Sequence, residues 1–156
     1  ISMNASNRQS KLKKLTAAQK GYIAGIFDGE GYLYITGEEY DESASSKIRV
    51  RMTDRCVLKH LRRITGIGTL TSYWPGQRRK DGGKKKQVFE WGIFKRVDVR
   101  DVLMKVRPFL VLKRKHAALL LDFDHLKDQG ACHGIEVVRI RKALSISNTK
   151  GRVLNF

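Results

Sequence analysis

The feature that most constrains the fold is a predicted helix in which glycine recurs every fourth residue. Thr16 is a favourable N-cap, and no proline interrupts the run from Ala17 to Asp28, so we predict a helix that stops at Gly31. The repeated glycines are Gly21, Gly25 and Gly29. They leave one helix face without side chains, so another helix could approach it almost backbone to backbone.

Two acids end this helix at its negatively charged end. Asp28 and Glu30 oppose the usual preference for cations there, at a cost of about 0.3–1 kcal/mol each when exposed. Because local rules are broken most often at functional sites, the acids suggest a cation, and the glycine face suggests that two helices share it. The alternative is an amphipathic helix with a glycine-rich end and two solvated acids. It leaves the glycines unexplained, since each costs about 1 kcal/mol in a helix interior.

The charge of the chain favours a polyanionic partner. Lys and Arg number 32 against 15 Asp and Glu, a formal net charge of +17, and the excess is spread along the chain. Nucleic acid is favoured over membrane because no basic amphipathic helix carries a broad apolar face. A chain that charge merely keeps soluble would mix the two signs more evenly. We therefore expect neither a membrane partner nor a small-molecule substrate.

The cysteines do not predict a disulfide framework. With two cysteines and no secretory signal, an intracellular setting is expected, with cytoplasm, nucleoid and organelle left open. The possible zinc ligands Cys56, His60, Cys132 and His133 match no common zinc spacing. We expect Cys56 to be a small buried residue.

Alternating patterns predict two strand pairs. From Lys47 to Thr53 apolar residues alternate mainly with cationic ones, which predicts one core face and one cationic face. In the preceding strand, Leu33 and Ile35 alternate with Tyr32, Tyr34 and Thr36. Strands at Thr69 to Trp74 and Gln87 to Ile93 flank a basic hairpin tip.

Helical spacing completes the pattern. Helices are predicted before Gly66 and before Pro108, then at about 113–127 and 135–144. The result is an α+β fold with a mixed α-β-β-α-β-β-α core and a curved antiparallel sheet. Residues 1–15 are expected to be a flexible basic lead-in. Residues 16–156 are expected to form one domain, with a basic C-terminal helix and tail from about 135.

The helix end resembles the signature of the LAGLIDADG homing endonucleases. Its nine positions are Ile23-Ala24-Gly25-Ile26-Phe27-Asp28-Gly29-Glu30-Gly31, with alanine, both glycines and both acids in the family's places and Glu as the second acid. The resemblance covers residues 16–127 and implies a DNA-binding sheet above paired motif helices. Asp122 and Asp124 form no second motif, because the glycines are missing, and we interpret them as solvated acids on a core helix. One motif per chain implies a homodimer through Gly21, Gly25 and Gly29.

A second segment, Arg107 to Ala117, resembles the stretch in homodimeric members where Pro-Phe-Leu leads into a basic helix. The resemblance places Lys113 at the cleavage site; the alternative is a solvated helix start. The implied catalytic residues are Glu30, Lys113 and Asp28, with Glu30 and the Gly29 carbonyl as ligands of Mg²⁺, and Mn²⁺ or Ca²⁺ as substitutes for binding. The family's polar pocket position falls on Met52. Arg51, Asp54 and Arg55 are pocket candidates, and Asp54 is also a favourable N-cap.

The implied function is site-specific endonuclease cleavage of double-stranded DNA. Both strands of a long pseudo-palindromic site would be hydrolysed, leaving short 3′ overhangs, as in intron homing. The expected DNA contacts are Tyr32, Tyr34, Lys47, Arg49, Arg51, Arg55, Arg78, Arg79, Lys80, Lys84, Lys85, Lys86 and Lys115. An RNA-splicing maturase or a non-catalytic DNA-binding regulator of the same fold is the alternative. A ribosomal-type RNA-binding protein would explain the charge but not the glycine-lined helix.

Overall fold

A computed structural model describes residues 9–38, 41–76, 82–83, 85–131 and 134–153, and within these ranges the chain is α+β. A turn of 3₁₀ helix at Arg107–Phe109 separates two of the helices. The elements are α1 (Ala17–Glu30), β1 (Gly31–Ile35), β2 (Ser46–Met52), α2 (Arg55–Thr65), β3 (Thr69–Tyr73), β4 (Val88–Ile93), α3 (Arg96–Val106), α4 (Arg114–Asp128) and α5 (Ile135–Val153). This order confirms the predicted core.

The four strands form one antiparallel sheet in the order β1-β2-β4-β3. Its centre is the pairing of β2 with β4, in which Val50 lies opposite Trp91. Leu33, Ile48 and Val50 are fully buried on the face that the helices cover. The intervening residues of β1 and β2 point to the opposite side, which we call the outer face, as their alternation predicted.

The first helix begins and ends where the sequence predicted. Thr16 and Gln19 form a capping box, with hydrogen bonds of 2.9 and 3.2 Å between side chains and backbone amides. At the other end a Cβ atom on Gly31 would lie 2.7 Å from the carbonyl oxygen of Phe27. Glycine is therefore required for the chain to pass directly from α1 into β1. Phe27 is buried and stacks on Trp91 with ring centroids 6.2 Å apart.

Both ends of the described chain differ from our expectation. Residues 10–15 were expected to lie in a flexible lead-in, yet Leu15 is buried and Ser10 donates a hydrogen bond to Asp98 at 2.7 Å. The helix α5 extends to Val153 instead of ending near 144, because neither glycine nor proline interrupts it before Gly151.

Two expectations about single side chains were wrong. Asp124 is 4% exposed and is paired with Arg96 and Arg100 of α3, so it is not a solvated acid; Asp122 is exposed as expected. Cys56 is exposed instead of buried. It lies in the first turn of α2, on the side away from the buried Leu58.

No helix in the described ranges is both long enough and apolar enough to span a bilayer.

Candidate functional site

The glycine face of α1 is open along most of its length. Gly25 and Gly29 are exposed, and a Cβ atom added to either would meet no other atom within 4 Å. A Cβ atom on Gly21 would lie 3.8 Å from the Phe109 ring. Within this chain, therefore, Gly21 packs beside the 3₁₀ turn, whereas Gly25 and Gly29 border free space.

Asp28 binds the chain segment that leads into α4. Its two carboxylate oxygens accept hydrogen bonds from the backbone amides of Val111 and Lys113, each at 2.8 Å. Both oxygens are thus used to hold the start of α4 against the end of α1. The geometry makes Asp28 a positioning residue for that junction.

Lys113 binds the junction from the other side. Its ammonium group donates hydrogen bonds to the carbonyl oxygens of Phe27 at 2.7 Å and Asp28 at 2.8 Å. Burial lowers the pKa of Lys113 below 10.5, and the charges of Asp28 and Glu30 oppose that shift. The negative end of the α1 dipole, with two acids beside it, favours a cation, and the Lys113 ammonium lies there.

We predict that Asp28→Asn destabilises the junction. The amide keeps one acceptor oxygen but loses the charge and one of the two backbone hydrogen bonds, so the free energy of unfolding should fall by about 1–2 kcal/mol. Urea unfolding measures this difference. Glu30→Gln, at an exposed site two residues away, is the control and should change stability by less than about 0.5 kcal/mol. Equal effects of the two substitutions would contradict the assigned role of Asp28.

Glu30 is exposed and lines a cleft of about 360 Å³ between the end of α1 and the end of β2. The other lining residues are Arg51, Met52, Thr53, Asp54 and Val88. Asp54 also caps α2, since its carboxylate accepts the amide hydrogen of Cys56 at 2.7 Å. The fold thus brings Glu30 together with the segment in which the sequence placed the polar pocket.

The donor atoms at the end of α1 are oxygens, which suit Mg²⁺. Glu30 supplies a carboxylate and Gly29 a backbone carbonyl. In the part of the chain that the structure describes, no group of three or more His, Cys, Asp and Glu side chains could hold a metal ion. Cys132 and His133, two of the possible zinc ligands, lie outside the described residues.

A larger cleft of about 460 Å³ lies between α3 and α4, away from Glu30. Both acids that line it are already paired: Arg100 binds Asp124, and it binds Asp128 at 2.8 Å. The chemistry of the larger cleft is therefore that of a structural network, and we assign no reaction to it.

The outer face of the sheet combines aromatic rings with cations. Tyr32 and Tyr34 stack with centroids 4.9 Å apart, and the guanidinium group of Arg49 lies 5.1 Å from the Tyr34 ring. Arg51 lies 5.5 Å from the ring of Tyr73 on β3. These contacts hold flat, cationic groups at the surface, an arrangement that suits base edges and phosphates.

A buried acid organises the two arginines. Glu90 of β4 is 9% exposed; it accepts a hydrogen bond from Nε of Arg51 at 2.6 Å and lies 3.3 Å from Nε of Arg49. The hydrogen bond from Arg51 to Glu90 raises the pKa of that arginine. Glu90 was not among the predicted site residues, although its place between Phe89 and Trp91 on a strand puts it on the outer face.

The other expected DNA contacts fall into two groups. Lys47 donates a hydrogen bond of 2.5 Å to the carbonyl of Phe94, and the exposed Arg55 lies 5.9 Å from the Phe89 ring. Lys86 and Lys115 are exposed, and Lys85 is half-buried. The remaining residues, Arg78, Arg79, Lys80 and Lys84, lie outside the described residues.

A buried histidine lies one turn beyond Lys113. His116 is 8% exposed, and its Nδ1 has no hydrogen-bond partner among the described residues. Burial, and then the positive charge of Lys113, lower the pKa of His116 below 6.5, while a hydrogen bond with Asn148 opposes the shift.

We predict that His116 makes folding sensitive to acid. Between the folded-state pKa and 6.5 the unfolded chain binds more protons, so stability falls as the pH drops through this window and levels below it. Urea unfolding from pH 8 to pH 5 should show a weaker pH dependence in His116→Gln than in wild type. The exposed His125→Gln is the control and should keep the wild-type dependence. Parallel curves for wild type and His116→Gln would contradict the prediction.

Comparison with solved structures decides the fold. The homing endonuclease I-CvuI, in complex with its target in the presence of Ca, superposes with a TM-score of 0.61 and 21% identity over 83% of this chain and 82% of that chain. The archaeal intron-encoded homing endonuclease I-Vdi141I, complexed with DNA, superposes with a TM-score of 0.62. Its sequence identity is 15%, and the match covers 83% of this chain and 84% of that chain. The LAGLIDADG meganuclease I-AabMI, bound to uncleaved DNA, superposes with a TM-score of 0.54. Its sequence identity is 16%, and the match covers 80% of this chain and 43% of that chain.

This chain has the LAGLIDADG homing-endonuclease fold. At 15–21% identity the likeness establishes the fold, and it confirms the fold that the motif resemblance implied. No protein-family model and no curated protein matches the chain. In this LAGLIDADG fold the motif residues 23–31 form the last two turns of α1 and its junction with β1.

Proposed function

We propose that the chain is a site-specific endonuclease of double-stranded DNA that acts as a homodimer. The observation that carries this proposal is the position of Glu30. This exposed acid ends an open glycine-faced helix and shares a cleft with Arg51, at the edge of the aromatic and cationic outer face. A carboxylate within such a surface repels DNA unless a cation lies between them. Hydrolysis of a phosphodiester gives a cation held by this carboxylate a role.

The open face of α1 supports a two-fold dimer. Gly25 and Gly29 border free space, and the neighbouring segment that Asp28 binds exposes two apolar side chains, Val111 at 80% and Leu112 at 73%. Exposed apolar residues beside a bare helix face are what a second copy would bury. A two-fold axis along α1 brings the same residues of both chains together, so each copy completes the other's site.

Mg²⁺ is the proposed cofactor, and the Glu30 carboxylate and the Gly29 carbonyl would hold it, together with the same groups of the second copy. When bound there, a divalent cation would neutralise charge on the phosphate and lower the pKa of a water molecule. The oxygen donors fit this role, and Mn²⁺ or Ca²⁺ would support binding through the same atoms.

The side chains of the protein act on the same phosphate. Lys113 is partly buried at the end of α1, where its ammonium could leave a backbone carbonyl and stabilise negative charge that develops at the reacting phosphate. Asp28 fixes the start of α4 and thereby the backbone of Lys113. On the outer face, Arg49 and Arg51 would contact base edges or phosphates, and Tyr32 and Tyr34 would pack against the DNA.

The basic residues of the β3–β4 connection are proposed to bind phosphate. Replacing Lys84, Lys85 and Lys86 by Ala should make the plot of log K against log salt less steep, by about 0.9 for each phosphate contact that is lost. Binding measured by fluorescence anisotropy at several salt concentrations tests this. An unchanged slope would remove the connection from the interface.

Cleavage of a randomised duplex library tests the proposed function. With Mg²⁺, sequencing of the product ends should identify one long, approximately palindromic site cut on both strands with short 3′ overhangs; with EDTA no product should form. Binding of a duplex without cleavage in any divalent metal would favour the regulator or maturase alternative. Preference for structured RNA over every duplex would contradict DNA as the substrate.

A further inference from the structure

The connection between β1 and β2 is bound by a side chain from the distant helix α5. Arg141 donates hydrogen bonds to three consecutive backbone carbonyls, those of Thr36 at 3.0 Å, Gly37 at 2.9 Å and Glu38 at 2.9 Å. The guanidinium group is planar and rigid, so three acceptors held at once fix the direction in which the chain leaves β1.

The far side of the same connection is bound by α4. The ammonium group of Lys127 donates hydrogen bonds to the carbonyls of Glu42, at 3.1 Å, and Ala44. Ala44 is buried, together with Phe123 of α4 and Val137 and Ile140 of α5, in a small apolar cluster apart from the main core. Polar and apolar contacts therefore both join this connection to the C-terminal helix pair.

The two ends of the connection lie close together. Its ends are tied by hydrogen bonds between Thr36 and Ser45, at 3.0 to 3.2 Å. Carbonyl groups on a surface connection usually bond to water, which imposes no direction. Here Arg141 takes the place of water, so α5 sets the direction in which the chain leaves β1.

Arg141 is poorly placed to contact DNA itself. Its terminal nitrogens donate to the three carbonyls, and its Nε is buried without an acceptor among the described residues. The neighbouring Lys142 is exposed and carries the same charge. The geometry gives Arg141 an internal role and leaves Lys142 facing solvent.

We propose that Arg141 is a positioning residue. Through it, α5 fixes the position of the β1–β2 connection, and so of the adjoining part of the outer face, relative to DNA. The inference rests on the proposed function, since it assigns α5 a part in base discrimination without base contact. Tyr34 on β1 and Arg49 on β2 lie in the strands that this connection joins. A shift of the connection would therefore change which base edges these two side chains reach.

Hydrogen exchange on the DNA-free protein tests the internal contact. In Arg141→Ala the amides of Thr36, Ala44 and Ser45 should exchange about tenfold faster or more, because a charged donor to three carbonyls is lost. Lys142→Ala removes the same charge from the same helix and should leave these amides unchanged. Unchanged exchange in Arg141→Ala would overturn the inference whatever the protein binds.

Base discrimination tests the consequence for DNA. Single base-pair changes across the bound site give a penalty at each position, and Tyr34→Ala and Tyr73→Ala mark the positions read by β1 and by β3. Arg141→Ala should weaken the penalties at the positions marked by Tyr34 and keep those marked by Tyr73. Arg141→Lys should restore overall affinity but not those penalties, because a single ammonium does not reproduce the guanidinium fork.

A uniform loss of affinity with the penalties intact would overturn the positioning role, since it is what simple destabilisation produces. If wild type discriminates among no duplexes, the proposed function fails and the DNA part of the inference falls with it. The hydrogen-exchange result separates a failure of the proposed function from a failure of the Arg141 inference, because it is measured without DNA.

Discussion

Glu30→Gln is expected to abolish Mg²⁺-dependent cleavage while DNA binding persists. The substitution keeps the size of an exposed side chain and removes the charge that would hold the cation. Cleavage under single-turnover conditions should fall by about 10³-fold or more, as when a group that stabilises the transition state is lost. Binding should be unchanged or tighter, because the net charge rises from +17 to +18 and one repulsive carboxylate is gone.

The matched control is Asp122→Asn, which removes one exposed acid from α4 outside the cleft and should cleave like wild type. Asp28→Asn should reduce cleavage less than Glu30→Gln, since both oxygens of Asp28 bind backbone amides. Near-normal cleavage by Glu30→Gln would remove Glu30 as the metal ligand and most of the mechanism with it.

Gly25→Leu is expected to separate dimer formation from folding. Within one chain the new side chain meets no atom within 4 Å of its Cβ, and leucine is favoured over glycine in a helix by up to about 1 kcal/mol. The monomer should thus be as stable as wild type or more so. In a backbone-to-backbone contact the same side chain has no space, so sedimentation should show monomers and cleavage should be lost.

Cys56→Leu adds an apolar side chain at an exposed position of α2 and is the control for surface hydrophobicity. It should leave the dimer and cleavage unchanged. A Gly25→Leu variant that sediments as wild type does, or a wild type that is monomeric at micromolar concentration with DNA bound, would contradict the two-chain arrangement.

The elements were predictable from sequence because their signals are local. Thr16 caps α1 with Gln19, Asp54 caps α2 through the amide two residues on, and Gly66 adopts φ 72° at the end of α2. Each of these signals lies within a few residues of the boundary that it defines. The alternation of β2 is also a local signal, because its three buried residues alternate with the residues of the outer face.

The partners of the site residues were not predictable in this way. The backbone dipole of α1 indicated that a cation was needed near Asp28, but Lys113 lies 85 residues away in sequence, and only the packing of α4 brings its ammonium there. The resemblance to the family placed Lys113 at this site, but no local signal indicated that its ammonium would bind the carbonyls that end α1. Glu90 and Arg51, which are 39 residues apart, meet only through the pairing of β2 with β4.

Composition misled where tertiary contacts override it. A polar, lysine-rich start suggested flexibility, yet the amide of Lys13 donates to the Thr65 carbonyl at 2.9 Å, and Leu12 packs against the core. Asp124 looked like a surface acid of α4 because its two arginine partners stand on α3. In both cases a contact distant in sequence decides burial.

An anomalous difference map of a DNA complex crystallised with Mn²⁺ would show whether the end of α1 holds a divalent cation on DNA. We expect anomalous density at coordination distance from a Glu30 carboxylate oxygen, about 2.0–2.1 Å as for Mg²⁺, with a second copy of α1 packed against the Gly25 face. Manganese bound elsewhere with Glu30 free, or α1 helices that lie apart in the complex, would contradict this expectation.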